Sequence, residues 1–176
     1  MNPVRNAGGA LNPTGISKMS PCHIVARHDL QRGEGGRKMR VRSFTVYDIY
    51  KRNATLFKNQ IAIQSENDKV TYRELFDRAN RVAGWLREKG IRKGDRVAVL
   101  AKNDPQFFSL LGGIAAAGAI MVPINFRLSS EEIGYNLTNT EPVMIVVDPD
   151  FEKTILDLRS ICPSMREFVT FGPAGF

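Results

Sequence analysis

Three short runs free of charge constrain this chain more than any other feature: Val97-Ala98-Val99-Leu100, Ile120-Met121-Val122 and Val143-Met144-Ile145-Val146-Val147. They have the length of strands and lack the alternation of apolar and polar positions that marks a half-exposed strand. The first and third are continuous apolar runs that belong in a parallel sheet, whose strands are buried on both faces, and the second reads as a further strand.

The intervals between the runs carry helix-start signals. Asn103-Asp104-Pro105 sets a cap beside a proline suited to the first helical turn. Phe107, Phe108, Leu110, Leu111, Ile114 and Ala115 then continue to Gly118. Gly112, Gly113, Ala115, Ala116 and Ala117 would let this helix approach neighbouring backbone closely. Ser129-Ser130-Glu131-Glu132 has capping-box spacing, with Ile133 and Leu137 expected to face inward. Asp148-Pro149-Asp150 turns the third run into a helix with Phe151, Ile155 and Leu158 on one side.

Upstream, Thr45 with Asp48 and Thr71 with Glu74 form two more boxes. Val46, Ile49, Tyr50, Ala54 and Phe57 are expected to line the first helix. Leu75, Phe76, Ala79, Val82, Ala83 and Leu86 are expected to line the second, which Gly90 ends. Between the two, Ile61-Ala62-Ile63 pairs with Val70 as a hairpin about Glu66-Asn67-Asp68. Phe168–Phe171 forms a last strand. The alternation predicts an α/β fold, a doubly wound, mostly parallel sheet flanked by helices, with right-handed crossovers.

Charge divides the chain. Residues 1–42 carry eight Lys/Arg and two Asp/Glu, a net of +6 out of the chain's +7, while residues 43–176 carry 17 and 16. The basic character therefore describes a leader, and the body offers no charge argument for nucleic acid. Six glycines, three prolines and no apolar period predict a disordered leader over residues 1–42, with residues 1–38 disordered or extended and packed on nothing. It reads either as an extension upstream of Met39 or as a basic tethering arm. Cys22, His23 and His28 lack a fourth ligand and make a poor metal site. Cys22 and Cys162 fit no disulfide framework, which points to a reducing, cytoplasmic setting. Residues 105–126 lack charge, yet Gly118 and Pro123 divide them, so no transmembrane segment is expected.

Catalytic groups are sparse. The body has no histidine, so no Ser–His or Cys–His nucleophile can form there. Gly113 and Gly118 have the glycine spacing of a phosphate loop, but Ala119 stands where its lysine belongs. Asp148 ends a strand, where open sheets bind ligands, and equally suits a turn before Pro149. Arg127 is either a surface arginine or a phosphate contact. Cys162 is expected as a half-buried loop thiol.

Two segments, V-T-Y-R-E-L-F-D-R-A-N-R-V-A (Val70 to Ala83) and G-I-A-A-A-G-A-I-M-V-P-I-N (Gly113 to Asn125), resemble the first two core motifs of the adenylate-forming, or AMP-binding, superfamily. K-G-D-R-V-A-V (Lys93 to Val99) is similar to the family between them. P-I-N-F-R-L-S-S-E-E-I (Pro123 to Ile133) resembles its acyl- and aryl-CoA synthetase branch. The likeness spans about residues 44–171. It implies ATP-dependent activation of a carboxylic acid to an acyl-adenylate, then transfer to CoA, with Mg-ATP and CoA as cofactors and fatty acid metabolism as one setting. In the family the phosphate loop and a catalytic lysine lie beyond the strand at which this sequence ends. Residues 43–176 are therefore expected to be an N-terminal subdomain truncated before that loop, inactive alone. Its unpaired sheet edge near Phe168–Phe171 should favour self-association. The resemblance places Asn125, Phe126 and Arg127 beside the nucleotide part of CoA and assigns no catalytic or metal residue. A free-standing α/β binding module and a basic-armed nucleic-acid binder are the alternative readings. The acid is not specified.

Overall fold

The computed structural model describes residues 17–18 (backbone only), 44–65, 68–102 and 104–171. In chain order the elements are β1 (Ser17–Lys18), α1 (Val46–Leu56), β2 (Ile61–Gln64), β3 (Lys69–Thr71), α2 (Tyr72–Glu88), β4 (Arg96–Leu100), α3 (Pro105–Ala117), β5 (Ile120–Ile124), α4 (Ser130–Thr140), β6 (Met144–Val147), α5 (Glu152–Leu158) and β7 (Glu167–Thr170). They fall into two compact units. One gathers β1, β4 to β7, α4 and α5; the other gathers α1, α2, α3 and the β2–β3 hairpin.

In the sheet unit the three apolar runs are neighbouring parallel strands, as their composition predicts. The order is β1-β7-β6-β4-β5, with Val97 opposite both Met121 and Met144. Alternate strand residues, among them Ala98, Leu100, Ile124, Ile145 and Phe168, form one core with Leu137 of α4. The intervening Val97, Val99, Met144 and Val146 are equally buried, which explains the continuous apolar runs of β4 and β6; β5, at the end of the strand order, leaves Ile120 and Pro123 exposed.

Two strand boundaries differ from the sequence reading. β5 continues through Pro123, paired with Val99, because β5 is an edge strand and tolerates the missing N–H. Ser17 and Lys18 lie parallel to Val169 and Thr170, so this piece of the leader is extended but not unpartnered. It pairs with part of the outer edge of β7 expected to be open. Cys22, His23 and His28 lie outside the described residues.

In the helical unit, both expected boxes form. Thr71 Oγ1 accepts from Glu74 N at 3.2 Å while Thr71 N donates to Glu74 Oε2 at 2.8 Å; Thr45 and Asp48 repeat the pattern. Asp104 caps α3 by accepting from Gln106 N at 2.7 Å, and Gly118 ends that helix at φ 76°, a conformation that costs glycine least. Leu86, Leu110 and Ile114 are buried, as their spacing predicts. α3 meets α2 through its glycines. A Cβ on Gly112 would sit 2.5 Å from Tyr50 Cε1, and one on Gly113 would run into Val82.

The face of α1 is a correction. Val46, Ile49 and Phe57 are exposed, at 41%, 39% and 38%. Tyr50 and Ala54 do face inward as expected, and Tyr47 joins them in place of Val46 and Ile49. Tyr47 stacks on Phe76 with centroids 5.7 Å apart and donates to Asn80 Oδ1 at 3.0 Å; Tyr50 donates to Phe108 O at 2.8 Å. Two large rings with satisfied hydroxyls bury more surface than Val46 and Ile49 would, and they set the rotation of the helix. Among the described residues no helix is long and apolar enough to cross a membrane.

Candidate ligand-binding site

Parallel strands send all their carboxyl ends to one edge of the sheet. The connection from β4 leads to β5 on one side, while that from β6 leads to β7 on the other. The chain's path therefore reverses between β4 and β6, the position at which open α/β sheets form a binding crevice. The two strand ends are tied together there: Asp148 N donates to Leu100 O at 2.9 Å.

Three loops leave this edge. After β5, Asn125 Oδ1 accepts from Arg127 N at 3.0 Å and Asn125 O accepts from Leu128 N at 3.2 Å, closing a tight turn. The Arg127 guanidinium lies 5.5 Å from the centre of the Phe126 ring, while the side chain as a whole stays exposed. Phe126 meets Phe151, from the loop after β6, with centroids 6.2 Å apart. Lys102, from the loop after β4, places Nζ 6.0 Å from the Phe151 centroid and is ion-paired with Asp150. The result is a row of cation, ring, ring and cation across three strand ends.

The electrostatics follow from these contacts. The hydrogen bond to Asp150, reinforced by that carboxylate's charge, holds the Lys102 ammonium above its usual range. Both partners remain about half exposed, at 51% and 63%, so the pair contributes little to the fold and is open to a ligand. The N-terminus of α4 contributes less field than its position suggests. Ser129 Oγ accepts from Glu132 N at 3.3 Å, and Ser129 N in turn donates to Glu132 Oε2 at 2.8 Å. A carboxylate already answers that positive end.

Asn125, Phe126 and Arg127 thus share one turn, as the sequence reading expects. Asp148 is a turn residue, accepting from Asp150 N at 3.1 Å. Cys162 is fully buried rather than half-buried, its Sγ 3.6 Å from Leu137 O. Sequence reasoning missed Lys102, Asp150 and Phe151. Their positions just past two strand ends were a usable signal; what was missing was that β4 and β6 are neighbours. Among the described residues no three His, Cys, Asp or Glu side chains gather as metal ligands. The arrangement can hold an anionic ligand against aromatic surface.

Comparison with known proteins gives this geometry a context. The family model described as AMP-binding enzyme matches residues 50–169. The 2-succinylbenzoate–CoA ligase of Bacillus cereus (strain AH820) is 33% identical over 122 residues, 69% of this chain and 25% of that protein. The feruloyl-CoA synthase of an Amycolatopsis species is 35% identical over 109 residues, 62% of this chain and 22% of that protein. Among solved structures, a fatty acyl CoA synthetase of Mycobacterium tuberculosis superposes with a TM-score of 0.68 at 28% identity, covering 72% of this chain and 26% of that one. The chain spans about a quarter of the length of these relatives.

Proposed function

The chain belongs to the AMP-binding enzyme family, and from that membership we propose that it is the N-terminal portion of an ATP-dependent carboxylate–CoA ligase. Such an enzyme joins a carboxylate to AMP with release of pyrophosphate, then passes the acyl group to the CoA thiol with release of AMP. The names of the relatives, which span an aromatic dicarboxylic acid, a hydroxycinnamic acid and fatty acids, support the reaction class and leave the acid open.

The observation that carries the reading is the placement of Arg127 over Phe126 at the carboxyl end of β5. A guanidinium fork suits a phosphate, and the adjoining rings suit a nucleoside, so Asn125, Phe126 and Arg127 are the residues we assign to the nucleotide part of CoA. Mg-ATP would supply the activating phosphoryl chemistry. These 176 residues contain neither a glycine-rich phosphate loop with its lysine nor, where described, a cluster of metal ligands. No step at the triphosphate is assigned to them. The buried thiol of Cys162 fits a reducing, cytoplasmic setting.

Calorimetric titration of the 176-residue polypeptide with CoA tests the assignment. Arg127→Ala should weaken binding roughly tenfold, the usual scale for one charge-assisted phosphate contact; unchanged binding would overturn it. Carboxylate-dependent ATP–pyrophosphate exchange by the same polypeptide is expected at background, and exchange above background would show that its own residues hold the triphosphate.

A further inference from the structure

The Lys102–Asp150 ion pair spans the reversal point of the sheet, and we propose that Asp150 is a built-in competitor for the ligand's phosphate, withholding Lys102 from any ligand that does not bring enough negative charge to displace it. This rests on the reading that the site takes the nucleotide part of CoA or a chemically similar phosphorylated nucleoside.

The geometry supports it in three ways. Lys102 and Asp150 leave adjacent strands, β4 and β6, whose connections diverge, so the pair stands where a ligand enters an open sheet. Asp150 is held by its own turn, because its backbone N–H donates to Asp148 Oδ1; its carboxylate is presented rather than trailing free. Through Phe151 and Phe126, Lys102 is linked to Arg127, so both cations border one row of aromatic rings.

The consequence is selectivity. A neutral nucleoside gains nothing by opening the pair. A phosphate dianion replaces one carboxylate partner with a stronger one and gains on exchange. Because the pair is half exposed, the exchange is inexpensive, and Asp150 weakens phosphate binding without abolishing it.

The test uses the 176-residue polypeptide, with adenosine 3′,5′-bisphosphate as probe and adenosine as the uncharged comparator, titrated calorimetrically at low salt. Asp150→Asn should bind the bisphosphate roughly two- to fivefold more tightly, the scale of one exposed ion pair, with adenosine unchanged. Asp157→Asn alters net charge equally on the exposed side of α5 and should do less. Lys102→Met added to Asp150→Asn should erase the gain. If Asp150→Asn binds no more tightly than Asp157→Asn, or more weakly than the parent, Asp150 positions Lys102 rather than competing for it and the proposal is overturned while the site stands. If the parent does not bind the bisphosphate, or Arg127→Ala binds it as well as the parent, the nucleotide reading fails and the proposal fails with it.

Discussion

α2 and α3 meet through glycine and alanine, while the carboxyl ends of β4, β5 and β6 carry lysine, arginine, aspartate and phenylalanine. In the first region a single added methyl at Gly112 would lie 2.8 Å from Ala79 Cβ. In the second, Lys102 and Asp150 are half open to solvent. The contrast separates the residues that pack the fold from those proposed to meet a ligand. Close-packed contacts tolerate little change of volume, whereas exposed charges contribute little to stability and tolerate substitution. That separation can be broken or sharpened by substitutions in each region.

The largest effect should come from Leu110→Ala. Leu110 has no exposed surface in α3, and truncating a fully buried leucine costs about 2–5 kcal/mol. Denaturant unfolding followed by circular dichroism measures it. A loss below about 1 kcal/mol would mean that the helical unit is looser than its glycine contacts require.

Tyr50→Phe should come next. It removes the hydroxyl that donates to Phe108 O at 2.8 Å, for a cost of about 1 kcal/mol. Burial pushes the Tyr50 phenol up from 10.0 to about 12. A folded value above the unfolded one means that the contribution is fully present below pH 10 and is lost as pH rises toward 12. The parent should lose stability across that window and Tyr50→Phe should lose less; parallel alkaline limbs would break the assignment of Tyr50 to the buried face of α1.

The fold was legible where a local rule decides the outcome. Three capping boxes, the Asp104-Pro105 start of α3 and the Gly118 stop follow from hydrogen-bonding geometry within one helical turn, and all appear. The continuous apolar runs of β4 and β6 announced parallel strands because both faces are buried. What could not be read depends on neighbours distant in sequence. Whether Val46 or Tyr47 turns inward is decided by Asn80 and Phe76, some thirty residues away. Pro123 stays in a strand because β5 lies at an edge, a fact of strand order. Half of the candidate site was visible for the same reason: Asn125, Phe126 and Arg127 form one contiguous turn, while Lys102 and Asp150 are 48 residues apart and meet only because β4 and β6 pair.

A comparable effect is expected at the cap of α2. Thr71→Ala removes the acceptor for Glu74 N and should cost about 1 kcal/mol. Glu74 also titrates. The Thr71 backbone N–H, then its hydroxyl, hold the Glu74 carboxyl below its ordinary 4.5. A depressed folded value contributes stability that is present above pH 4.5 and lost as pH falls through the lower folded value. Glu74→Gln should therefore flatten part of the acid limb of the stability profile and change little near neutrality. An unaltered acid limb would show that the box is formed in the unfolded chain as well, or in neither state.

The smallest effect on stability should come from the site itself, and it sharpens the contrast most. Arg127 is exposed, and its ring contact, 5.5 Å from Phe126, lies at the surface, where a cation–aromatic contact is weak. The turn that carries it is closed by Asn125 Oδ1 and the Arg127 backbone, which Arg127→Ala retains. Unfolding free energy should change by no more than about 0.5 kcal/mol, within the error of paired denaturant curves, while affinity for CoA falls. Asn125→Ala makes the opposite comparison: it removes the acceptor that closes the turn, so it should lower stability measurably and weaken CoA binding by displacing Arg127. If Arg127→Ala instead destabilises the chain as much as Asn125→Ala, the guanidinium is a structural part of the turn, and the division between packing residues and binding residues does not hold at this edge.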